Sequence, residues 1–153
     1  EMGERKPIFV KIAPELTNQA LDDVIQVVID NNLAGIIAVN TTVSSEIKAK
    51  YGERWRDEAG GLSGDDPDFR QMSTEKIAYI WKATGGKVSI IGVGGVKDAE
   101  TVLEKILAGV TVVQIVTGLR GEGPSLPGKI NRGLVRWMER YGINSIQQLI
   151  GEA

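Results

Sequence analysis

The chain has 153 residues, enough for one domain with a sizeable core. Its 18 lysines and arginines against 20 acidic residues give a net charge of -2, which excludes the basic surplus that nucleic-acid or anionic-membrane binding requires. Cysteine and histidine are both absent, which excludes disulfides, thiolate chemistry, and the commonest metal ligand and general base. Any chemistry therefore depends on lysine, serine, threonine or carboxylate side chains, or on a cofactor.

Nothing in the sequence indicates a membrane-spanning or exported segment. No apolar run approaches the ~20 residues that cross a bilayer, and residues 1–6 lack the apolar core of a secretion signal. We therefore expect a cytoplasmic protein. The chain begins at Glu1, ahead of Met2, and reaches its first predicted strand almost at once, so we expect it to be the later part of a longer protein.

Four short apolar runs alternate with helical segments, the pattern of a parallel sheet built from βα units. The first unit predicts a strand over 8–12 and a helix with Thr17 as its N-cap, whose apolar residues recur every three or four positions. The second unit predicts a strand over 35–40, followed by a long polar stretch, 41–72, before the next helix. A loop of that length in a compact domain is usually functional or mobile.

The third and fourth units repeat this pattern. We expect a buried strand over 88–93 with a helix over 98–108, and a buried strand over 112–116 with a helix that opens at Pro127. Residues 144–150 predict one further short helix.

Four βα units are compatible with two architectures. They can form a small doubly wound sheet, or they can form half of a (β/α)8 barrel, since a complete barrel needs eight units and typically ~250 residues. A half barrel leaves two sheet edges unpaired, and folded proteins pair or cover such edges. On that architecture the chain should self-associate, or pair with the other half of the barrel.

Ligands of parallel sheets bind at the carboxyl ends of the strands, so the residues that follow each predicted strand form the candidate site. Gly94 and Gly95 follow the third strand, where glycine leaves backbone N–H groups bare and lets a phosphate approach. Thr117 follows the fourth strand, and the glycine-rich loop 60–64 is placed to fold over the same end of the sheet. The alternative is that Gly94 and Gly95 only form a tight turn.

Two further strand ends carry polar side chains. Lys11 lies within an otherwise apolar strand. Because an unpartnered buried ammonium costs several kcal/mol, it should face an anion, either a neighbouring carboxylate or a ligand. Asn40 and Thr41 place an amide beside a hydroxyl, a pair that recognises a planar polar heterocycle. The alternative for Asn40 and Thr41 is an Asx turn or a helix cap.

Four motifs stand in a fixed order along the chain: Lys11-Ile12-Ala13-Pro14, Val39-Asn40-Thr41-Thr42-Val43-Ser44, Gly60-Gly61-Leu62-Ser63-Gly64 and Ile90-Ile91-Gly92-Val93-Gly94-Gly95-Val96. In that order they resemble the motifs of the dihydroorotate dehydrogenases, and the lysine segment resembles that of the quinone-dependent class. The similarity covers nearly the whole chain, and four ordered motifs are far more specific than any one of them.

The resemblance implies the C-terminal half of a (β/α)8 TIM barrel, a single partial domain over residues 1–153. The implied protein uses FMN to oxidise dihydroorotate to orotate in pyrimidine biosynthesis, passes the electrons to a quinone, and is peripheral to the membrane at full length. Its general base, a serine in this class, would lie on a strand upstream of Lys11. We therefore expect the isolated chain to be inactive.

The resemblance also implies roles for individual positions. Asn40 and Thr41 would contact the pyrimidine. Lys11 would approach the flavin ring and stabilise negative charge on the reduced flavin. The remaining contacts to FMN would come from Val39, Ser63, Gly64, Gly94, Gly95, Val116 and Thr117.

Three departures from the family pattern bear on cofactor binding. Val39 stands where many members have a threonine, and Val116 where many have an aromatic or polar residue, so only backbone contacts to FMN are expected at these positions. Residues 65–68 read Asp-Asp-Pro-Asp. Three carboxylates beside a dianionic ligand are unfavourable unless they turn to solvent.

Two other functions remain open on the residues alone. A non-redox (β/α)-barrel enzyme would bind a sugar phosphate at the amides of Gly94 and Gly95 and would use Lys11 as a Schiff-base or acid-base lysine. A self-associated half barrel without activity would bind nothing, and all of its glycines would serve turns.

Overall fold

The computed structural model describes residues 6–153, in which four β-strands alternate with helices. No helix in that range has the length and apolarity to cross a bilayer. The strands are β1 (Phe9–Ile12), β2 (Gly35–Ala38), β3 (Ser89–Val93) and β4 (Val112–Gln114). The helices are α1 (Asn18–Asp30), α2 (Ser45–Ala49), α3 (Pro67–Thr84), α4 (Ala99–Ala108), α5 (Thr117–Glu122) and α6 (Leu126–Tyr141), with 3₁₀ turns at Glu53–Trp55 and Ile146–Leu149.

The four strands form one parallel sheet in the order β1-β2-β3-β4. Phe9 lies opposite Gly35, Gly35 lies opposite Ser89, and Gly92 lies opposite Val113. This sequential order is that of a (β/α) barrel, whereas a doubly wound sheet reverses its strand order at a switch point. Of the two expected architectures, the structure therefore has the half barrel.

The core lies between the sheet and the helices that cover it. Ile36 and Ile90 of the two central strands are fully buried, and they belong to the same apolar cluster as Leu21 of α1 and Ile77 of α3. Helix α3 packs against β3, α1 and α4. It therefore connects the sheet to its neighbouring helices α1 and α4.

Local signals place most of the helix ends where the sequence predicts them. The Thr17 side chain caps α1 by accepting a hydrogen bond from the N–H of Ala20, at 3.2 Å. Asp98 caps α4 and forms a reciprocal capping box with Thr101. The helix that was expected to open at Pro127 is α6, which begins at Leu126 and ends before Gly142, a glycine in the left-handed conformation.

The prediction of one long loop over 41–72 was wrong. Helix α2 and a 3₁₀ turn lie within this stretch, and α3 begins at Pro67. The buried Lys48 ties the segment together, because its ammonium donates to the carbonyls of Glu58 and Gly60. Helix α5 was also not predicted, since its six residues lack an apolar periodicity.

The two outer strands are less buried than the sequence predicts. Lys11 was expected to be buried, but its side chain is exposed because it lies on the face of the sheet that the helices do not cover, opposite to the buried Ile36 and Ile90. The same reason applies to the fourth strand, which was expected to be buried over 112–116. It ends at Gln114, and Val112 and Val116 are 56% and 68% exposed.

Lys105 of α4 has a fully buried side chain. Its ammonium donates to Ser73 Oγ at 2.8 Å and to Thr74 Oγ1 at 3.4 Å, and both acceptors lie on α3. Burial lowers the pKa of Lys105 to about 8, because the charged form loses its hydration.

Folding stability should therefore rise with pH in alkaline solution. The unfolded lysine has a pKa near 10.4, so between about pH 8 and pH 10 the unfolded chain binds more protons than the folded one. We expect the free energy of unfolding, measured in urea, to gain up to about 3 kcal/mol across this window. Lys105→Met should remove the gain, whereas Lys82→Met, at an exposed position of α3, should keep it. Equal pH dependence in both variants would contradict the assignment.

Candidate functional site

A cavity of about 300 Å³ opens at the carboxyl ends of the four strands. Residues at or just after the carboxyl end of each strand contribute to its wall, as expected for a parallel sheet of this kind. The structure brings all ten predicted site residues to this one cavity: Lys11, Val39, Asn40, Thr41, Ser63, Gly64, Gly94, Gly95, Val116 and Thr117. Their binding roles stay predictions.

The wall of the cavity beside β1 and β2 carries unpaired polar side chains. Within residues 6–153, Lys11 has no carboxylate partner, and the side chains of Asn40 and Thr41 make no hydrogen bond. The backbone N–H of Asn40 donates to the carbonyl of Ile12 at 2.7 Å and so anchors the segment to β1. Helix α2 is capped by Ser44 instead of Asn40 or Thr41. These side chains are therefore free to contact a ligand.

The loop 60–64 closes one side of the cavity, as predicted. Thr42 and Leu62 form a short antiparallel pair, with N–H to carbonyl distances of 3.0 and 2.8 Å. The hydroxyls of Ser63 and Thr117 are 2.8 Å apart and hydrogen-bonded. The loop therefore contacts the residues that follow β2 and those that follow β4.

The turn after β3 has a conformation and a packing that only glycine fits. Gly94 and Gly95 have φ of 107° and 69°. A Cβ at Gly94 would lie 3.0 Å from Phe69 Cζ, and a Cβ at Gly95 would lie 2.5 Å from Arg70 Cγ, so α3 packs directly behind the turn. Within the described range, neither glycine donates its N–H to another protein group. These amides are available to an anion.

Asp65, at the edge of the cavity, is neutralised by two cations. It forms ion pairs with Lys97 and, at 3.2 Å, with Arg70. The hydrogen bond from Lys97 to Asp65 raises the pKa of Lys97. Lys97, although close to the glycine turn in sequence, is therefore engaged by a protein carboxylate.

The other two carboxylates of residues 65–68 also have partners. Asp66 is buried, caps α3 by accepting from the N–H of Phe69 at 2.9 Å, and accepts from the hydroxyl of Tyr51 at 2.9 Å. Burial and the contact with Asp66 raise the pKa of Tyr51. Asp68 pairs with Lys50 at the surface. The negative charge of residues 65–68 is thus offset by hydrogen bonds and ion pairs as well as by exposure to solvent.

Sequence reasoning missed some residues of the cavity wall. Gln114 is the last residue of β4 and lines the cavity. It is a polar residue in an apolar run, the same signal that identified Lys11. Phe69 also lines the cavity, but no local signal indicates it, because its position depends on how α3 packs.

A sequentially ordered parallel sheet with a cavity at its carboxyl ends places the chain among the (β/α)-barrel proteins. Residues 1–138 match the family model described as dihydroorotate dehydrogenase. The chain belongs to the dihydroorotate dehydrogenase family.

Comparisons with individual proteins agree with this family. The chain is 41% identical over 158 residues to the dihydroorotate dehydrogenase (quinone) of Trichodesmium erythraeum, and 46% identical over 147 residues to that of Allorhizobium ampelinum. The alignments cover 100% and 96% of this chain. A crystal structure of DHODH from Eimeria tenella in complex with ferulenol superimposes on 99% of the chain, with a TM-score of 0.86 and 32% identity.

The chain spans about two fifths of the length of these relatives. The alignments cover 41% of the Trichodesmium protein, 39% of the Allorhizobium protein and 39% of the Eimeria chain. The comparisons therefore extend to the half barrel that this chain forms.

Proposed function

We propose that this chain forms the C-terminal half of the barrel of a quinone-dependent dihydroorotate dehydrogenase, an enzyme of pyrimidine biosynthesis, and that its cavity takes FMN and the pyrimidine substrate. The observation that carries the proposal is the pair of unbonded amides at Gly94 and Gly95, which lines the same cavity as Thr117. Membership of the family supports the choice of FMN over another phosphoester.

The glycine turn and Thr117 fit the phosphate of FMN. Two bare amides and a hydroxyl offer hydrogen-bond donors to phosphate oxygens, and an amide cradle binds an anion without needing a charged side chain. Asp65 does not oppose this, because Lys97 and Arg70 neutralise it. Val39 and Val116 offer only backbone polar groups, while Ser63 and Gly64 close the side of the cavity next to Thr117.

Lys11, Asn40 and Thr41 fit the reacting end of the site. Bound FMN supplies the two-electron acceptor for the oxidation of dihydroorotate, and the quinone is the final acceptor. The exposed ammonium of Lys11 lines the cavity and stabilises negative charge on a bound ring system. Asn40 and Thr41 donate to and accept from the carbonyl and N–H groups of a pyrimidine, which orients it.

The cavity binds FMN and the pyrimidine substrate but does not supply the general base. Formation of orotate removes a hydride and a proton from dihydroorotate, and the proton needs an acceptor. The two carboxylates that line the cavity are both ion-paired, Asp65 with Lys97 and Glu122 with Lys129 at 3.5 Å. We therefore expect the 153-residue chain to bind ligands without turnover by itself.

Flavin titration tests the cofactor assignment. The chain should quench FMN fluorescence, and Thr117→Val should weaken FMN binding about tenfold, the loss expected for one charge-assisted hydrogen bond, while leaving riboflavin binding unchanged. Lys11→Gln should weaken both ligands, because it removes a contact to the ring. Val135→Ala, at an exposed position of α6, is the matched control. Equal loss of both flavins in Thr117→Val would overturn the phosphate assignment.

Anaerobic mixing of the FMN-loaded chain with dihydroorotate tests whether the chain binds the ligands without catalysing the reaction. The flavin absorbance should stay that of the oxidised form, because proton removal has no base. Orotate should still perturb the flavin spectrum, and Asn40→Ala should abolish that perturbation. Bleaching of the flavin by dihydroorotate would show that these residues suffice for the reaction.

The two outer strands also imply a partner for the sheet. Within the described residues, β1 and β4 each pair on one side only, and Val112 of β4 is an exposed apolar residue on an edge strand. Such edges associate with other strands. We propose that the isolated chain associates with a second copy through them, in the place that the other half of the barrel takes in a complete enzyme.

Sedimentation measures this association directly. The chain should sediment as an oligomer, and Val112→Lys should shift it to the monomer because a charge on the edge blocks strand pairing. Val135→Lys introduces the same charge at a comparably exposed position of α6 and should leave the oligomer intact. A monomeric parent chain would contradict the proposal.

A further inference from the structure

Lys105 is fully buried in the core and has no counter-ion among the described residues. Its ammonium donates only to the hydroxyls of Ser73 and Thr74, and no carboxylate of residues 6–153 lies within 4 Å of it. Glu104, its neighbour on α4, pairs instead with Arg70 at 3.4 Å. A cation held in the core without an ion pair is costly. A nearby anion would offset the cost of burying this charge.

A directed chain of hydrogen bonds leads from Lys105 to the end of β3. An ammonium has only donors, so Ser73 Oγ must accept from it and must direct its own proton elsewhere. That proton goes to the carbonyl of Val93, at 2.7 Å. The same carbonyl accepts from the N–H of Val39, at 3.2 Å. Two donors, one of them backed by the ammonium, therefore fix the orientation of this peptide group.

The orientation of the Val93 carbonyl sets the orientation of the Gly94 amide. In a planar trans peptide the C=O and the following N–H point in opposite directions. Because the carbonyl of Val93 points to Ser73 on α3, the N–H of Gly94 points away from α3. Gly94 lines the cavity, and its N–H has no partner among the described residues.

We infer that Lys105 is a positioning residue for the phosphate site: acting through Ser73, it holds the Val93–Gly94 peptide with its N–H toward the ligand and places a positive charge behind the glycine turn. The inference rests on the proposed function, because the anion it serves is the phosphate of the flavin. The inference adds to the proposed phosphate site a positive charge, that of Lys105, which lies behind the glycine turn and does not touch the ligand.

The charges that face Lys105 are few. Helix α3 contributes Arg70, which opposes protonation of Lys105, and α4 contributes Glu104, which favours it. Strand β3 carries no ionisable side chain. Burial has already lowered the pKa of Lys105 to about 8, so its charge is lost between neutral and alkaline pH, and phosphate affinity should fall with that charge.

The ratio of FMN affinity to riboflavin affinity isolates this effect, because the two ligands share the ring and differ in the phosphate. Lys105→Met should lower the ratio about tenfold at pH 7.5. In the parent chain the ratio should fall severalfold from pH 7.5 to pH 9.5, over which the phosphate remains a dianion. In Lys105→Met it should be independent of pH. Lys82→Met, exposed on the same helix as Ser73, should behave as the parent chain.

A double-mutant cycle with Ser73→Ala tests the route of the effect. If Lys105 acts through Ser73, the losses in the ratio for Lys105→Met and Ser73→Ala should not add. A purely structural role would weaken FMN and riboflavin equally and leave the ratio unchanged. That result, or a parent ratio that is constant with pH, would overturn the inference, and the second measurement needs no variant to fold.

Inorganic phosphate separates this inference from the flavin assignment. If the chain binds no flavin, phosphate should still shift the backbone amide resonances of Gly94 and Gly95 in the parent chain and should shift them much less in Lys105→Met. A shift of equal size in both proteins, or no shift in the parent chain, would reject the role of Lys105. Flavin binding that is insensitive to Lys105 would reject it while leaving the proposed function intact.

Discussion

The packing of α3 against the turn after β3 is the contact on which the site depends. Phe69 and Arg70 occupy the space that side chains at Gly94 and Gly95 would need, with distances of 3.0 and 2.5 Å to a hypothetical Cβ. The contact therefore requires glycine, and glycine leaves bare amides at the mouth of the sheet. Ser73, on the same helix, hydrogen-bonds the carbonyl that precedes the turn. The α3–β3 interface thus determines both the conformation of the glycine turn and the exposure of its amides in the proposed phosphate site.

Charge around the cavity is set by pairing more than by composition. The chain is slightly acidic, and an acidic stretch borders the cavity, yet each of its carboxylates has a partner. Asp65 takes up Lys97, which leaves Lys11 as the lysine of the cavity wall with no carboxylate partner in the described part of the chain. Lys11 is exposed at the cavity, Lys105 is buried behind the glycine turn, and neither has a carboxylate partner among the described residues.

The candidate site was predictable where it depends on strand ends. The carboxyl ends of parallel strands meet at one edge of the sheet, so residues after each strand share a cavity whatever their separation in sequence. Gln114, at the end of β4, follows the same rule, so its place in the cavity wall was also predictable. The cavity contact of Phe69 and the hydrogen bond of Ser73 to the Val93 carbonyl were not predictable, because both residues reach the end of β3 from the side of a helix. Their approach depends on the packing of α3 on β3, which no local pattern encodes.

The sequence by itself determined the alternation of strands and helices, the helix cap at Thr17 and the glycine turn after β3. Each of these depends on hydrogen bonds or apolar spacing within a few residues. Only the tertiary structure decided that Lys11 lies exposed on an edge strand, that Lys105 is buried, and that α2 interrupts the predicted loop. Burial depends on which distant segments cover a residue. Lys11, in an apolar strand, is therefore exposed, whereas Lys105, in an amphipathic helix, is buried.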